Sequence, residues 1–203
     1  MPVIQLEQGS DAWLKYRLNK VMATDTPVIL GSNPWVTKIQ RWEEKMLLRP
    51  PVELNDAMKR GTELEPIARM VVEEMLGMEF TPCVYESDKH PWMASSLDGL
   101  SDCGKYIIEL KCPTNPKLHF NNKEGMIPEY YLDQMQHQIL CPPDVDIVFF
   151  CTYFPDDKSM PVSITRKTKD IYKESIIIEK GHEFYMQMCN FEAPTEWKLK
   201  ERK

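Results

Sequence analysis

The stretch MASSLDGLSDCGKYIIELKCP, Met93 to Pro113, decides how this chain is read. Its second half, Tyr106 to Lys111, has the residues of a strand, in which alternate side chains share a face. Glu109 and Lys111 therefore point one way, and Ile108 and Leu110 the other. Ile107, Ile108 and Leu110 mark an apolar, central strand, where a carboxylate and an ammonium are costly without a partner or a metal. Asp98 precedes a turn, Asp98-Gly99, that returns the chain into this strand and brings its carboxylate alongside Glu109. Two carboxylates so close repel each other unless a cation lies between them, and hard oxygen ligands suit Mg2+ or Mn2+. The Leu110 carbonyl offers a further oxygen. A metal there polarises a phosphodiester and activates water, while Lys111 orients that water or stabilises the developing charge. The spacing D…E-x-K is weak by itself, since a charged edge strand also matches it; the apolar neighbours argue for the chemical reading.

Outward from this hairpin, the clearest helix runs from about Asn55 to Leu76. Leu64, Ile67, Ala68, Val71, Val72 and Met75 make one apolar stripe, with Glu65 on its flank and Gly77 closing it. Glu65 thereby reaches the edge of the core, where it can hold a second ion or its water shell. Towards the N-terminus, Ser10-Asp11 caps a helix carrying Trp13, Leu14, Leu18 and Val21, and Gly31 to Pro34 breaks the chain. A second helical stretch covers Ile39 to Leu48, ended by Arg49-Pro50-Pro51. Phe80 to Tyr85 and Trp92 to Ser95 read as strands, with a further turn at Asp102-Cys103-Gly104. Downstream, Tyr130 to Leu140 reads as a helix, Asp146 to Phe154 and Pro161 to Thr165 as paired strands, and Lys169 to Asn190 as a last helix. The expectation is a single α/β domain over residues 1–203, a central mixed β-sheet flanked by helices, with 191–203 a charged tail.

Composition adds boundaries. The chain has 203 residues, 42% hydrophobic and 28% charged, enough for a sizeable core. No apolar run spans a membrane, and the N-terminus lacks the pattern of a signal peptide, so a cytoplasmic protein is expected. The six cysteines show neither zinc nor iron–sulfur spacing and read as free, mostly buried thiols. A net charge of −6 does not exclude a nucleic-acid partner. Carboxylates at a metal are screened by it, and a separate basic stripe can hold phosphates. His137 lies three residues after Gln134 and reaches either the site or a place in the core; His90, His119 and His182 show no ligand spacing.

Four segments in order resemble the PD-(D/E)XK nuclease superfamily, which has a restriction-endonuclease-like core, and more narrowly the phage lambda exonuclease and YqaJ-type viral recombinase family. They are Trp13-Leu14-x-x-Arg17 with Ala23-Thr24, and Arg60-Gly61-Thr62-Glu63-x-Glu65-Pro66-x-Ala68-Arg69. Ala94 to Leu100 with Glu109-Leu110-Lys111-Cys112-Pro113 follows, then Tyr131-Leu132-x-Gln134-x-Gln136. The resemblance implies a Mg2+-dependent 5′→3′ exonuclease that digests one strand of linear double-stranded DNA from its end. It would release 5′-mononucleotides and leave a 3′ overhang for recombination. It also implies a homotrimeric ring, a single-strand annealing partner and a phage or prophage origin in a bacterial host. On matching positions, Asp98, Glu109 and the Leu110 carbonyl would be metal ligands, Lys111 the catalytic lysine and Glu65 the helix-borne acid. Arg17, Thr24 and Ser96 would bind the 5′-terminal phosphate, a bidentate cation with two hydroxyl donors. Tyr131 and Gln134 would share the active-site face of one helix. Met58 is a candidate wedge at the terminal base pair. Two positions depart from the pattern: Leu97 stands where the family has proline before the first aspartate, and Thr24 where it has serine. The residues by themselves leave open an endonuclease of restriction or repair type, and a non-catalytic DNA-binding module.

Overall fold

Residues 3–50 and 55–195 are described by the computed structural model. In chain order the elements are β1 (Val3–Ile4), α1 (Asp11–Leu18), β2 (Val21–Met22), α2 (Thr26–Leu30), α3 (Lys38–Lys45) and α4 (Asp56–Leu76), then β3 (Phe80–Glu86), β4 (Met93–Ser101), β5 (Tyr106–Lys111), α5 (Pro116–Lys123), α6 (Glu129–Leu140), β6 (Ile147–Tyr153), β7 (Val162–Thr168) and α7 (Ile171–Cys189). Local chemistry sets many of the ends. Ser10 accepts a hydrogen bond from Trp13 N at α1, and Asn55 accepts one from Met58 N at α4. Thr37 and Gln40 form a reciprocal capping box at α3. Gly31 and Gly77, both left-handed, close α2 and α4.

One seven-stranded mixed sheet runs in the order β1-β3-β4-β5-β6-β7, with β2 pairing parallel to β4. The ladders are antiparallel except β5–β6 and β2–β4. The sheet separates two cores. On one face Met135 and Ile139 of α6 and Ile177 and Phe184 of α7 pack on Leu97, Ile107, Val148 and Phe150. On the other, Ala68 and Val72 of α4 pack on Phe80, Ile108, Leu110 and Val162. Strand β5 is thus central and buried on both faces, as its apolar residues predict.

Several expectations need correction. Asp98-Gly99 is not a turn: β4 continues through it, and the chain reverses at Asp102 to Gly104. Gly99 serves close packing instead, since a Cβ there would lie 2.7 Å from Phe80 Cβ and 2.8 Å from Ile108 Cγ1. Val21 lies outside the first helix, in β2, and pairs with Met93 of β4. The apolar stripe of α4 is only partly covered: Ala68 and Val72 are buried, but Ile67 and Met75 are exposed. The short elements β1, β2, α2 and α5 carry too few residues for a periodic signal. All six cysteines are free, but only Cys141 and Cys151 are fully buried, and Cys103 and Cys189 are exposed. Of the expected tail, residues beyond 195 lie outside those described, as does Pro51.

Candidate active site

The β4–β5 ladder pairs Leu100 with Ile107 and Gly99 with Ile108, then the strands part. On its other side β4 shifts register, from Cys83 opposite Leu97 to Thr81 opposite Leu100, so Asp98-Gly99 forms a bulge against β3. Bulges re-aim side chains. Here the Asp98 carboxylate turns towards β5, where Oδ2 accepts the Leu110 N–H at 2.8 Å. A backbone donor that the ladder no longer satisfies is thus taken by the carboxylate itself.

Glu109 faces the α6 side and is 1% exposed. Its Oε1 accepts from Gln134 Nε2 at 2.7 Å and from Lys111 Nζ; its Oε2 accepts from Gln138 Nε2. Gln134 and Gln138 are one turn apart, so one helix face offers both amides to one carboxylate. The Lys111 ammonium lies 5.2 Å from the Tyr131 ring centroid. From the opposite face, Arg69 of α4 donates to the Asp98 carbonyl at 2.9 Å and to Glu65 Oε1 at 2.6 Å, tying the helix-borne acid to β4.

Burial pushes the Asp98 carboxyl up, Glu109 and Glu65 push the same way, and its pKa reaches about 8 despite Lys111 and the Leu110 N–H. Burial works to lower the Lys111 pKa, but Glu109 and then Asp98 outweigh it and hold the ammonium above its ordinary range. The carboxylates of Asp98, Glu109 and Glu65 with the Leu110 carbonyl are the donors a hard divalent cation takes, and such an ion would relieve the repulsion that raises Asp98. Among the described residues no three His, Cys, Asp or Glu side chains converge as a ligand cluster. Asp98 and Glu109 straddle the fork from opposite faces, Glu109 is held by amides and Lys111, and Glu65 is held by Arg69. The donor set fits a divalent cation in kind, and its carboxylate oxygens also accept hydrogen bonds from within the protein.

Arg17, Thr24 and Ser96 meet. Arg17 donates to Thr24 Oγ1 at 3.0 Å and to Ser96 Oγ at 3.3 Å, and its guanidinium lies 4.3 Å from the Trp13 ring centroid. The Trp13 indole N–H also donates to Ser96 Oγ, at 2.9 Å. Beneath them, buried Lys45 binds Asp25 Oδ2 at 2.6 Å, the Arg17 carbonyl at 2.7 Å and the Lys20 carbonyl at 2.8 Å. Burial raises the Asp25 carboxyl, but Lys45 and then Arg41 outweigh it and hold it below the usual range. Ser96 and Asp98 are two residues apart on β4, a spacing of roughly 7 Å along a strand. A cleft of about 1210 Å³ is lined by Thr24, Met58, Glu65, Asp98, Leu110, Lys111 and Tyr131 together.

The structure therefore gathers Asp98, Glu109, Lys111, Glu65, Gln134 and Tyr131 at one fork and Arg17, Thr24 and Ser96 beside it. Met58 lines the cleft from the first turn of α4. Gln136 points elsewhere, binding the Thr168 carbonyl and the Asp170 N–H where β7 hands over to α7. His137 is a core residue: Nε2 donates to the Ala94 carbonyl at 3.0 Å, so Nδ1 accepts from Thr26 Oγ1 at 2.6 Å. Burial lowers its pKa to about 4, leaving it neutral. Sequence reasoning missed Gln138, although its i+4 spacing from Gln134 signals a shared face. It also missed the Asp25–Lys45 pair, for which no local spacing gives a sign.

The chain is similar to known proteins over most of its length. It is 26% identical over 165 residues to the uncharacterized protein YqaJ of Bacillus subtilis (strain 168), covering 79% of this chain and 51% of that one. The chain thus spans about half the length of that relative. Its fold superposes on the crystal structure of an alkaline exonuclease, LHK-Exo, from Laribacter hongkongensis, with a TM-score of 0.78 and 26% identity over 90% of this chain and 94% of that one. The same enzyme in complex with dAMP gives 0.77, at the same identity and coverage. A phage related exonuclease from Haemophilus somnus 129PT shares the fold at a TM-score of 0.62 and 16% identity, covering 85% of this chain and 96% of that one. The family model of the YqaJ-like viral recombinase domain matches residues 12–142, a span that holds Arg17, Thr24 and Ser96, the bulge, the fork and α6 entire. With more than half its length in that match and every motif of the fork inside it, the chain belongs to the YqaJ-like viral recombinase family.

Proposed function

We propose that this protein is a divalent-metal-dependent deoxyribonuclease of the alkaline exonuclease type. In this reading it digests one strand of linear double-stranded DNA in the 5′→3′ direction, releases 5′-mononucleotides and leaves a 3′ single-stranded overhang for strand annealing. One observation carries it: Thr24, whose hydroxyl takes Arg17, lines the same cleft as Glu65, Asp98, Leu110 and Lys111. A pocket for a terminal phosphate beside a hydrolytic centre measures one nucleotide from an end.

When bound, Mg2+ supplies Lewis-acid polarisation of the phosphodiester and a more acidic water; Mn2+ is expected to substitute. Asp98, Glu109 and the Leu110 carbonyl would hold it, with Glu65 at its edge. The remaining work falls to side chains of this chain. Lys111 carries a positive charge to the phosphate oxygens as negative charge develops. Gln134 and Gln138 keep the Glu109 carboxylate in one orientation, and Arg17 with Thr24 and Ser96 grips the 5′ end. The homotrimeric ring, the annealing partner and a phage or prophage origin belong to this proposal too, and light scattering reads the first. Among the described residues no helix is long and apolar enough to cross a membrane.

The test uses linear duplex DNA labelled on one strand, bearing 5′-phosphate or 5′-hydroxyl ends, with Mg2+. Mononucleotides should appear rapidly from phosphorylated ends, more slowly from hydroxyl ends, and not at all with Lys111→Ala. Arg17→Ala should erase the difference between the two ends. Cutting of a closed circular duplex at a comparable rate would overturn the end-dependent reading in favour of an endonuclease.

A further inference from the structure

A line of aromatic rings leads out of the cleft from Lys111. The Lys111 ammonium lies 5.2 Å from the Tyr131 ring centroid, Tyr131 lies 4.4 Å from Tyr130, and Tyr130 meets Trp35 edge-on at 5.0 Å. Trp35, Tyr130 and Tyr131 all line the cleft. Tyr131 is anchored in the core against Phe150, 5.2 Å away, but Trp35 is 69% exposed. Core packing therefore does not account for an indole at this position.

The loop that carries Trp35 is held firmly. The Asn33 side-chain oxygen accepts the N–H of both Trp35 and Val36 at 2.9 Å, and the N–H groups of Ser32 and Asn33 both bind the Pro27 carbonyl at 2.9 Å. Two residues on, the capping box of Thr37 and Gln40 starts α3. Ser32 Oγ donates to Asp133 of α6, the helix that also carries Tyr130 and Tyr131. The spacing of Trp35 and Tyr130 is thus fixed by one loop pinned to one helix. A large flat ring held still at the mouth of a cleft loses little further entropy on binding, the condition under which stacking contributes most.

We propose that Trp35, backed by Tyr130 and Tyr131, is a nucleobase-stacking subsite that receives the base of the 5′-terminal nucleotide. Every base has a π-face, so such a site accepts all four without reading sequence. Thr24 lies at the same cleft, eleven residues before Trp35 in the chain, so the terminal phosphate and terminal base are received by one continuous segment. The inference rests on the nuclease reading above.

The experiment measures binding in Mg2+ by the cleavage-deficient variant Asp98→Asn, with and without Trp35→Ala or Trp35→Phe. The ligands are 5′-phosphorylated linear duplexes whose terminal nucleotide is intact or abasic. On the intact end Trp35→Ala should weaken binding by about 5- to 150-fold and Trp35→Phe by much less. On the abasic end the protein retaining Trp35 should already show that loss, and Trp35→Ala should add nothing. Equal losses from Trp35→Ala on both ends, or no loss on either, overturn the stacking subsite while leaving the nuclease reading intact. Absence of binding to any duplex end overturns both.

Discussion

The Asp98 carboxyl binds the Leu110 N–H through Oδ2, yet burial and the neighbouring Glu109 and Glu65 raise its pKa from 3.8 to about 8. In the metal-free protein the folded state therefore favours protonated Asp98 far more than the unfolded chain does. A carboxyl raised on folding contributes stability that is present below pH about 4 and is lost as pH rises towards about 8. A bound divalent cation reverses this preference, because it favours the anion. Thermal melts in chelator should consequently decline across that window, and added Mg2+ should restore most of the loss at its upper end. Asp98→Asn should flatten both effects; the same pH slope in that variant would remove Asp98 from the explanation. Gln138 matters at the same scale: Glu109 Oε1 accepts from both Gln134 and Lys111, but Oε2 accepts from Gln138, so losing the Gln138 amide leaves that buried acceptor short.

Strand β4 is the element on which the site turns. It pairs with β3, β5 and, through its first residues, β2, and its bulge lies at Asp98-Gly99. Gly99 is required there because neighbouring side chains of β3 and β5 occupy the space a methyl would take. Gly99→Ala should cost about 1–3 kcal/mol in urea unfolding through overpacking. It should also lower nuclease activity, because relieving the clash moves the Asp98 backbone. Gly61, within α4, makes the contrast: nothing lies within 4 Å of a Cβ there. Gly61→Ala should stabilise by about 0.5–1 kcal/mol, the ordinary helix preference. If the two substitutions had equal effects on stability, the packing account of the bulge would fail.

At the scale of the molecule, one sheet belongs to two cores. Ile107 packs with α6 and α7 on one face, and Ile108 packs with α4 on the other. A strand shared in this way couples the faces, so unfolding one removes the support of the other. Ile108→Ala and Met135→Ala, one cavity on each face, should each cost about 2–5 kcal/mol. Each should shift the far-ultraviolet circular dichroism and tryptophan fluorescence transitions together. Trp42 and Trp92 lie in the α6–α7 core, so fluorescence lagging behind circular dichroism in Ile108→Ala would show two separately folding halves instead. The two-sided arrangement also makes the fork, since it sends Asp98 towards the α4 side and Glu109 towards α6.

Much of this is legible in the sequence. The alternation of Ile107 to Lys111 marked a buried strand with Glu109 and Lys111 on one face, and the 3.6-residue pattern with Asn55 and Gly77 marked α4. The grouping of Arg17, Thr24 and Ser96 came from the family resemblance and not from local spacing, since the three lie on a helix, a loop and a strand. Periodicity and capping are local, so one chain segment suffices to read them. What the tertiary structure decided is non-local. That position 99 must be glycine depends on Phe80 and Ile108, residues of the two neighbouring strands that crowd it. That Ile67 and Met75 of the α4 stripe stay exposed depends on which elements the fold packs against that helix. That Lys45 supports Arg17 through a backbone carbonyl, and that Trp35 stands at the mouth of the cleft, depends on which loops the sheet brings together. Sequence specifies the chemistry of each segment; only packing sets which segments meet.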